Sequence, residues 1–382
     1  MHNPILRSFW IVITLFAVFL VVASGLFTGC SEKQEAANPV TTTQQPLAKL
    51  STLDPEVQSV MAIQERHTSS LMLDKNVVGT ATGLTDDGRV AVYVFLKNAV
   101  STIKSKSAQS IPASLDGVPV IVSVTGEFKA MKGGGGGVSH TAKQTPPIQL
   151  GTSGGWKYDL ANGYCCGGTI GSLIQKGGVQ YVLSNYHVFW GDIVNGGNGR
   201  VATAGDPVIQ PGLIDVGCVA ANAQDVANLS GSGSLPSANV DAGYAQVISG
   251  MVRTDGAILE VGTLSASTVG ASIGQAVKKS GRTTGLSRSS VSALNATISV
   301  QYDNECAGGA AFVKTYTGQI VIKNRASRFL NSGDSGSLMV EDITTNPRAV
   351  GLLYAGSSTD AIANPIGAVL SWVGGGATMV GQ

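Results

Sequence analysis

The stretch N-S-G-D-S-G-S-L-M-V, residues 331–340, decides how this chain is read. In it Ser335 stands between Gly333-Asp334 and Gly336. Glycines on both sides let the backbone turn tightly, so that the amides of Gly333 and Ser335 can point together at one developing oxyanion. An ordinary turn ahead of S-L-M-V would account for one or two of the glycines and for nothing else. A serine becomes a nucleophile only with a base in hydrogen-bond reach and an acid that orients the base, and those must come from elsewhere in the chain.

Histidine is the usual base because it titrates near working pH. Residues 151–382 contain a single histidine, His187, in V-Q-Y-V-L-S-N-Y-H-V-F-W-G, at the end of an apolar strand and just before a loop. Asp241, in S-A-N-V-D-A-G-Y-A, is a carboxylate inside an apolar run, and burying it is costly unless something such as an imidazole N–H pairs with it. Asp192, Asp206 and Asp225 lie in polar or turn contexts and are weaker candidates.

The surrounding sequence is β-rich. From about residue 151 to the end run short apolar patches such as V-Q-Y-V-L-S-N, V-D-A-G-Y-A-Q-V-I and G-Q-I-V-I-K-N, punctuated by glycine and asparagine with no long helical pattern. Many short strands at close spacing predict an all-β sandwich or barrel. The order His187, Asp241, Ser335 resembles the His, Asp and Ser boxes of the chymotrypsin-fold (trypsin-like) serine proteases, and the separations of 54 and 94 residues fit that family's double β-barrel. V-K-K-S-G-R-T-T-G-L-S-R is further similar to the start of the second barrel in bacterial proteases of the streptogrisin and α-lytic type. That resemblance implies that Arg282 pairs with Asp334 to support the nucleophile loop. No basic residue followed by I-V-G-G occurs, so activation by a new N-terminus of the pancreatic kind is not expected.

The resemblance also implies that Phe329, six residues before the nucleophile, lies at the base of the primary pocket, and that Tyr354, Ala355 and Gly356 pair with the substrate backbone as an added strand. With no acidic residue at Phe329, a preference for Arg or Lys is not implied. Ser337 stands where the family usually has a further glycine, Asn185-Tyr186 where its best-known members have two alanines, and no cysteine follows His187. A serine esterase would need G-x-S-x-G on an α/β sheet, which the β-rich surroundings do not offer.

Upstream, D-P-E-V-Q-S-V-M-A-I-Q-E-R-H-T-S-S-L predicts a helix, with Asp54 able to cap and Pro55 suited to the first helical position. N-V-V-G-T-A-T-G-L and R-V-A-V-Y-V-F-L, joined through T-D-D-G, predict a hairpin, and V-P-V-I-V-S-V another strand. Residues 51–130 are therefore expected to form a small α+β domain, in which His67 is an ordinary helix-surface histidine. Residues 131–150, with five consecutive glycines at 133–137 and Pro146-Pro147, read as a flexible linker to a protease domain over 151–382. The N-terminal domain is expected either to assist folding or cover the active site, as pro-domains of related secreted proteases do, or to serve as a packing or partner-binding domain.

Residues 1–30 form a different object: a long apolar run after Arg7 that ends in L-F-T-G-C at Cys30. This reads as an export signal with a lipobox-like end, in which Cys30 is lipidated; an uncleaved membrane anchor is the alternative. Residues 31–50 are a polar tether. Export places Cys165, Cys166, Cys218 and Cys306 where disulfides persist, with three full pairings open. The absence of nearby histidine or C-x-x-C spacing argues against zinc, and a net charge of +1 with 13% charged residues gives no sign of a nucleic-acid partner. The expectation is a membrane-tethered extracytoplasmic serine endopeptidase without metal or cofactor, acting on proteins or peptides. The alternative is an inactive protease-fold lipoprotein that binds a partner.

Overall fold

The computed structural model describes residues 49–99, 111–130, 138–161, 164–191, 200–302 and 312–382. The expectations placed on residues 1–48, on Gly133 to Gly137 and on Cys306, including lipidation of Cys30, lie outside the described residues. Among the described residues no helix is long and apolar enough to cross a membrane.

Two sheets form a double β-barrel. The first runs, in hydrogen-bonded order, through Gly168–Ile170, Thr152–Trp156, Pro207–Gln210, Gln224–Ser230, Gly243–Val247, Val179–Ser184, Ser172–Lys176 and Thr378–Met379. Its tightest turn is Gly177-Gly178, both at positive φ, which joins Lys176 to Val179 in a two-residue hairpin whose twist matches its strands. In the second, Ala276–Lys279, Leu338–Glu341, Ala349–Gly356, Asp360–Pro365, Phe312–Lys323 and Ser287–Tyr302 follow one another. Ala276–Lys279 also pairs with Ser287–Tyr302, so these six strands close into a ring. The C-terminal Ile366–Val373 helix buries Ile366, Val369 and Val373 at helical spacing.

The upstream segment contains the expected helix, Pro55–Leu71, laid on the hairpin Val77–Leu84 and Val90–Leu96, with Val118–Val124 parallel to the latter. Val57, Val60, Val90, Val92 and Leu115 make a small core there. Its sheet does not stop at the expected domain edge. Val77–Leu84 pairs antiparallel with Ser287–Tyr302, making one continuous sheet with the second barrel. The buried Gln64 ties the helix across this seam, donating to Thr80 Oγ1 and to the Asn295 carbonyl and accepting from Thr82 Oγ1.

The linker reading of residues 131–150 also needs correction from 138 onward. Val138–Thr141 is a short helix, Gln144 Nε2 donates to the Gln149 carbonyl and Thr152 Oγ1 while its Oε1 accepts the Gln149 amide, and Ile148 and Leu150 are fully buried. Apolar side chains at alternate positions, Ile148 and Leu150, draw this stretch onto the barrel despite the two prolines between it and the glycines.

Candidate active site

His187 and Asp241 are brought together by strand pairing. His187 lies in the one-turn Tyr186–Phe189 helix that directly follows Val179–Ser184, and Asp241 lies two residues before Gly243–Val247. These strands are antiparallel with Ser184 opposite Gly243, so the residues just beyond their paired ends face each other. His187 Nδ1 is 2.6 Å from Asp241 Oδ2, with the carboxylate wholly buried and the imidazole nearly so. The Tyr186 amide donates to Oδ1 at 2.7 Å. Asn185 and Asn364 hold the main chain: Asn185 Nδ2 donates to the Asp241 carbonyl at 2.8 Å, while Asn364 Oδ1 accepts the Asp241 amide at 3.2 Å. His187 Nε2 is buried with no hydrogen-bond partner among the described residues.

Ser335 arrives from the second barrel. It precedes Leu338–Glu341, which pairs with Ala349–Gly356, and Gly336 N–H donates to the Leu353 carbonyl at 2.9 Å. Ser335 Oγ donates to the Tyr354 carbonyl at 3.1 Å, and Ser335 is fully buried. The turn is locked against the first barrel: Thr169 N–H donates to the Ser335 carbonyl at 2.9 Å and Thr169 Oγ1 to the Gly333 carbonyl at 2.9 Å. A Cβ on Gly168 would lie 2.6 Å from Val188 and 3.0 Å from the Ser335 carbonyl, so that glycine is where the nucleophile turn and the residue after His187 meet. Gly333 has φ +97°, and a Cβ there would strike Thr283 Oγ1 and Arg282 at 2.5 and 2.7 Å. The turn sequence is thus dictated by backbone conformation and by space.

Asp334 is held differently from the expectation. Arg282 does not pair with it; its guanidinium makes a fork onto Asp215, with Nε 2.6 Å from Oδ2 and the terminal nitrogen 2.5 Å from Oδ1. The cation at Asp334 is Lys279, whose Nζ is 3.1 Å from Oδ1, both side chains wholly buried. The turn that carries Arg282 still supports the loop, through backbone: the amides of Thr283 and Thr284 donate to Asp334 Oδ1 at 2.9 and 3.1 Å, and the Asn331 amide to Oδ2 at 2.9 Å. Burial pulls the Lys279 ammonium below its ordinary range, and the Asp334 carboxylate opposes that.

Phe329 does not line a pocket base. Its side chain is 2% exposed and belongs to the second-barrel core with Val277, Leu330 and Met339. Asn324 turns it there, since Asn324 Oδ1 accepts the amides of both Phe329 and Leu330, after Arg325, Ala326 and Ser327 have all taken positive φ.

The expected substrate edge, Tyr354 to Gly356, is already paired. The Phe128–Ala130 strand runs antiparallel to it, Ala130 opposite Ala355 and Lys129 opposite Gly356, while its other side runs parallel to Val300 and Gln301. Phe128, fully buried, anchors the strand edge-on against Phe95 at 5.7 Å between ring centres. Three tyrosines gather around Asp241. Tyr302 Oη donates to Asp241 Oδ2 at 2.8 Å, Tyr316 Oη is 2.5 Å from Tyr302 Oη, and the Tyr316 ring meets that of Tyr354 at 5.0 Å. Sequence reasoning missed Tyr302, Lys279, Asn364 and Asp215; the first reads as one more strand aromatic and the others as polar residues near turns. Outside this site, Cys165 is bonded to Cys218, and among the described residues no His, Cys, Asp or Glu cluster could hold a metal ion.

Residues 238–364 match the family model described as the Nal1 C-terminal domain. That stretch holds Asp241, Arg282, Ser335 and Tyr354 to Gly356, and it begins beyond His187. No curated protein sequence matches the chain. Among solved structures the chain is similar to a glutamic acid specific serine protease, at 19% identity over 61% of this chain and 100% of that one, with a TM-score of 0.40. It is similar also to protease A of Thermobifida fusca, at 19% identity over 62% and 99% with a TM-score of 0.40, and to a chymotrypsin of Cellulomonas bogoriensis, at 18% over 62% and 99% with a TM-score of 0.38.

Proposed function

We propose that the chain is a membrane-tethered, extracytoplasmic serine endopeptidase working through Ser335, His187 and Asp241. The observation that carries this reading is the buried 2.6 Å bond between His187 Nδ1 and Asp241, made with Nε2 left without a partner among the described residues. A carboxylate on Nδ1 fixes the tautomer in which Nε2 carries the lone pair. Ser335 Oγ–H gives its proton to Nε2 as Oγ bonds to the scissile carbonyl carbon, and the amides of Gly333 and Ser335 take the oxyanion. The imidazolium, held by Asp241, then protonates the leaving amine, and water repeats both steps on the acyl-enzyme. The mechanism calls on no metal or organic cofactor. The apolar run of residues 1–30 and the Cys165–Cys218 disulfide support export and tethering.

The N-terminal segment adds a second element to this reading: the chain is made in a covered form, its own backbone standing where a substrate strand would lie. The pairing of Lys129 and Ala130 with Gly356 and Ala355 supports it, as does the serine hydroxyl lying on the Tyr354 carbonyl. The same two observations favour the alternative, a protease-fold lipoprotein that binds and does not turn over. Labelling with a fluorophosphonate separates the two. Proline has no N–H and is not tolerated between two paired strands, so Ala130→Pro in the full chain uncovers the edge. Labelling at Ser335 should then rise about tenfold over the native chain, be lost in Ser335→Ala and fall sharply in His187→Ala. An Ala130→Pro chain that neither labels nor cleaves casein would make the protein a binding module.

A further inference from the structure

The Asp241 carboxylate is wholly buried, and among the described residues no lysine or arginine pairs with it. Its Oδ2 receives two donors, His187 Nδ1 at 2.6 Å and Tyr302 Oη at 2.8 Å, and Oδ1 receives the backbone amide of Tyr186 at 2.7 Å and that of His187 at 3.4 Å. Each packed element contributes a neutral group: Tyr302 from Ser287–Tyr302, Tyr316 from Phe312–Lys323, Tyr354 from Ala349–Gly356, Asn364 from Asp360–Pro365 and Asn185 from the turn before His187. Tyr302 is buried, and its ring meets the His187 ring at 5.8 Å and 65°, so it confines the imidazole as well as the carboxylate. Burial, followed by the nearby Asp241 charge, pushes the hydroxyls of Tyr302, Tyr316 and Tyr354 well above the ordinary phenol range. All three stay protonated, which makes Tyr302 a lasting hydrogen-bond donor to Asp241.

We infer that Tyr302, backed by Tyr316, is a positioning residue for the proton transfer: it crosses from the second barrel to hold Asp241 Oδ2 and thereby sets both the aim and the basicity of His187. This rests on the endopeptidase reading, and it accounts for a feature that reading leaves unused. Because the phenol and the imidazole share one oxygen, each donor draws on the same lone-pair density. Removing the phenol leaves more of it for the imidazolium, and removes the restraint on how the carboxylate is turned.

The test is Tyr302→Phe in the full chain, with two readouts. By NMR, the His187 ring should titrate at higher pH than in the native chain, by about half a unit or more. In a peptidase assay on the uncovered Ala130→Pro background, kcat/KM at neutral pH should fall about tenfold, with the loss in kcat and the acid limb of the profile displaced in the same direction as the NMR midpoint. Tyr316→Phe should give the same signs at smaller size. In the native chain the Tyr302 hydroxyl proton should be protected from exchange and show a cross-peak to the His187 Nδ1 proton, a measurement that needs no variant. An unmoved titration with kcat/KM within twofold, or absence of that cross-peak, overturns the inference. If no background cleaves peptides, the endopeptidase reading falls, while titration and cross-peak still decide the role of Tyr302.

Discussion

Among the described residues two aspartates have no exposure to solvent, Asp241 in the first barrel and Asp334 in the nucleophile turn, and they are satisfied in opposite ways. Asp334 faces a full cation, Lys279 at 3.1 Å, and amides from three residues together with the Thr284 hydroxyl close the rest of its coordination. Among the described residues Asp241 faces neutral donors and one imidazole. A carboxylate already neutralised by a lysine has little left to offer a passing proton. One balanced by phenol and amide groups keeps its charge available to stabilise an imidazolium when it forms. The difference separates a carboxylate that braces a loop from one suited to chemistry.

The largest effects should come from exchanging these roles. Asp241→Asn keeps the shape but presents an amide to His187 Nδ1 and favours the wrong tautomer. On the uncovered background kcat/KM should fall by about 10³ to 10⁴-fold while thermal stability changes little. If stability collapsed and activity per folded molecule survived, Asp241 would be the structural residue of the two. Lys279→Met should do the reverse. It leaves the Asp334 carboxylate buried and uncompensated, at a cost of about 3–5 kcal/mol in denaturant unfolding, with activity lost only as the loop comes apart. Replacing Arg282 by Met should leave Asp334 held and instead free the Asp215 carboxylate, which would separate the two ion pairs that the shared turn places side by side.

How far the sequence revealed this contrast depends on the range of the interaction. Ser335 was legible because the glycines around it answer local demands of φ and space. His187 and Asp241 were legible because each is an anomaly in its own segment, a lone histidine and a carboxylate among apolar neighbours. The partner of Asp334 was not. K-K-S-G-R-T-T-G offers three cations within five residues, and which one turns inward depends on the pleat of Ala276–Lys279: Lys278 reaches the Ile343 carbonyl, while Lys279, one residue on, points to the other side and meets Asp334. Tyr302 and the covering strand were beyond reach for a further reason. Val77–Leu84 reads as one arm of a local hairpin and Phe128–Ala130 carries no strand signal of its own, yet both pair with Ser287–Tyr302, more than 150 residues downstream. The helix, hairpin and strand of residues 51–130 were therefore readable as elements, and their continuity with the second barrel was not.

The smallest effect sharpens the contrast through histidine, since one stands near each aspartate. His140, 6% exposed at its side chain, lies 3.1 Å from Glu260 and 3.0 Å from Ser280 Oγ, and its ring feels Lys279 and Asp334. Desolvation pulls it below the ordinary 6.5, partly offset by Glu260, and Lys279 adds to the lowering. Between its folded titration point and 6.5 the unfolded chain therefore binds more protons than the folded one, so stability rises with pH across that window and is lost as pH falls through it. The expected loss from this group is below about 1 kcal/mol, measured as a fall in the unfolding midpoint between pH 6.5 and mildly acid conditions. His140→Gln should flatten that slope without changing the pH profile of peptide cleavage, because His140 braces the Asp334 side of the site and His187 serves the Asp241 side. A change in the cleavage profile with an unchanged stability slope would reverse the assignment of the two histidines.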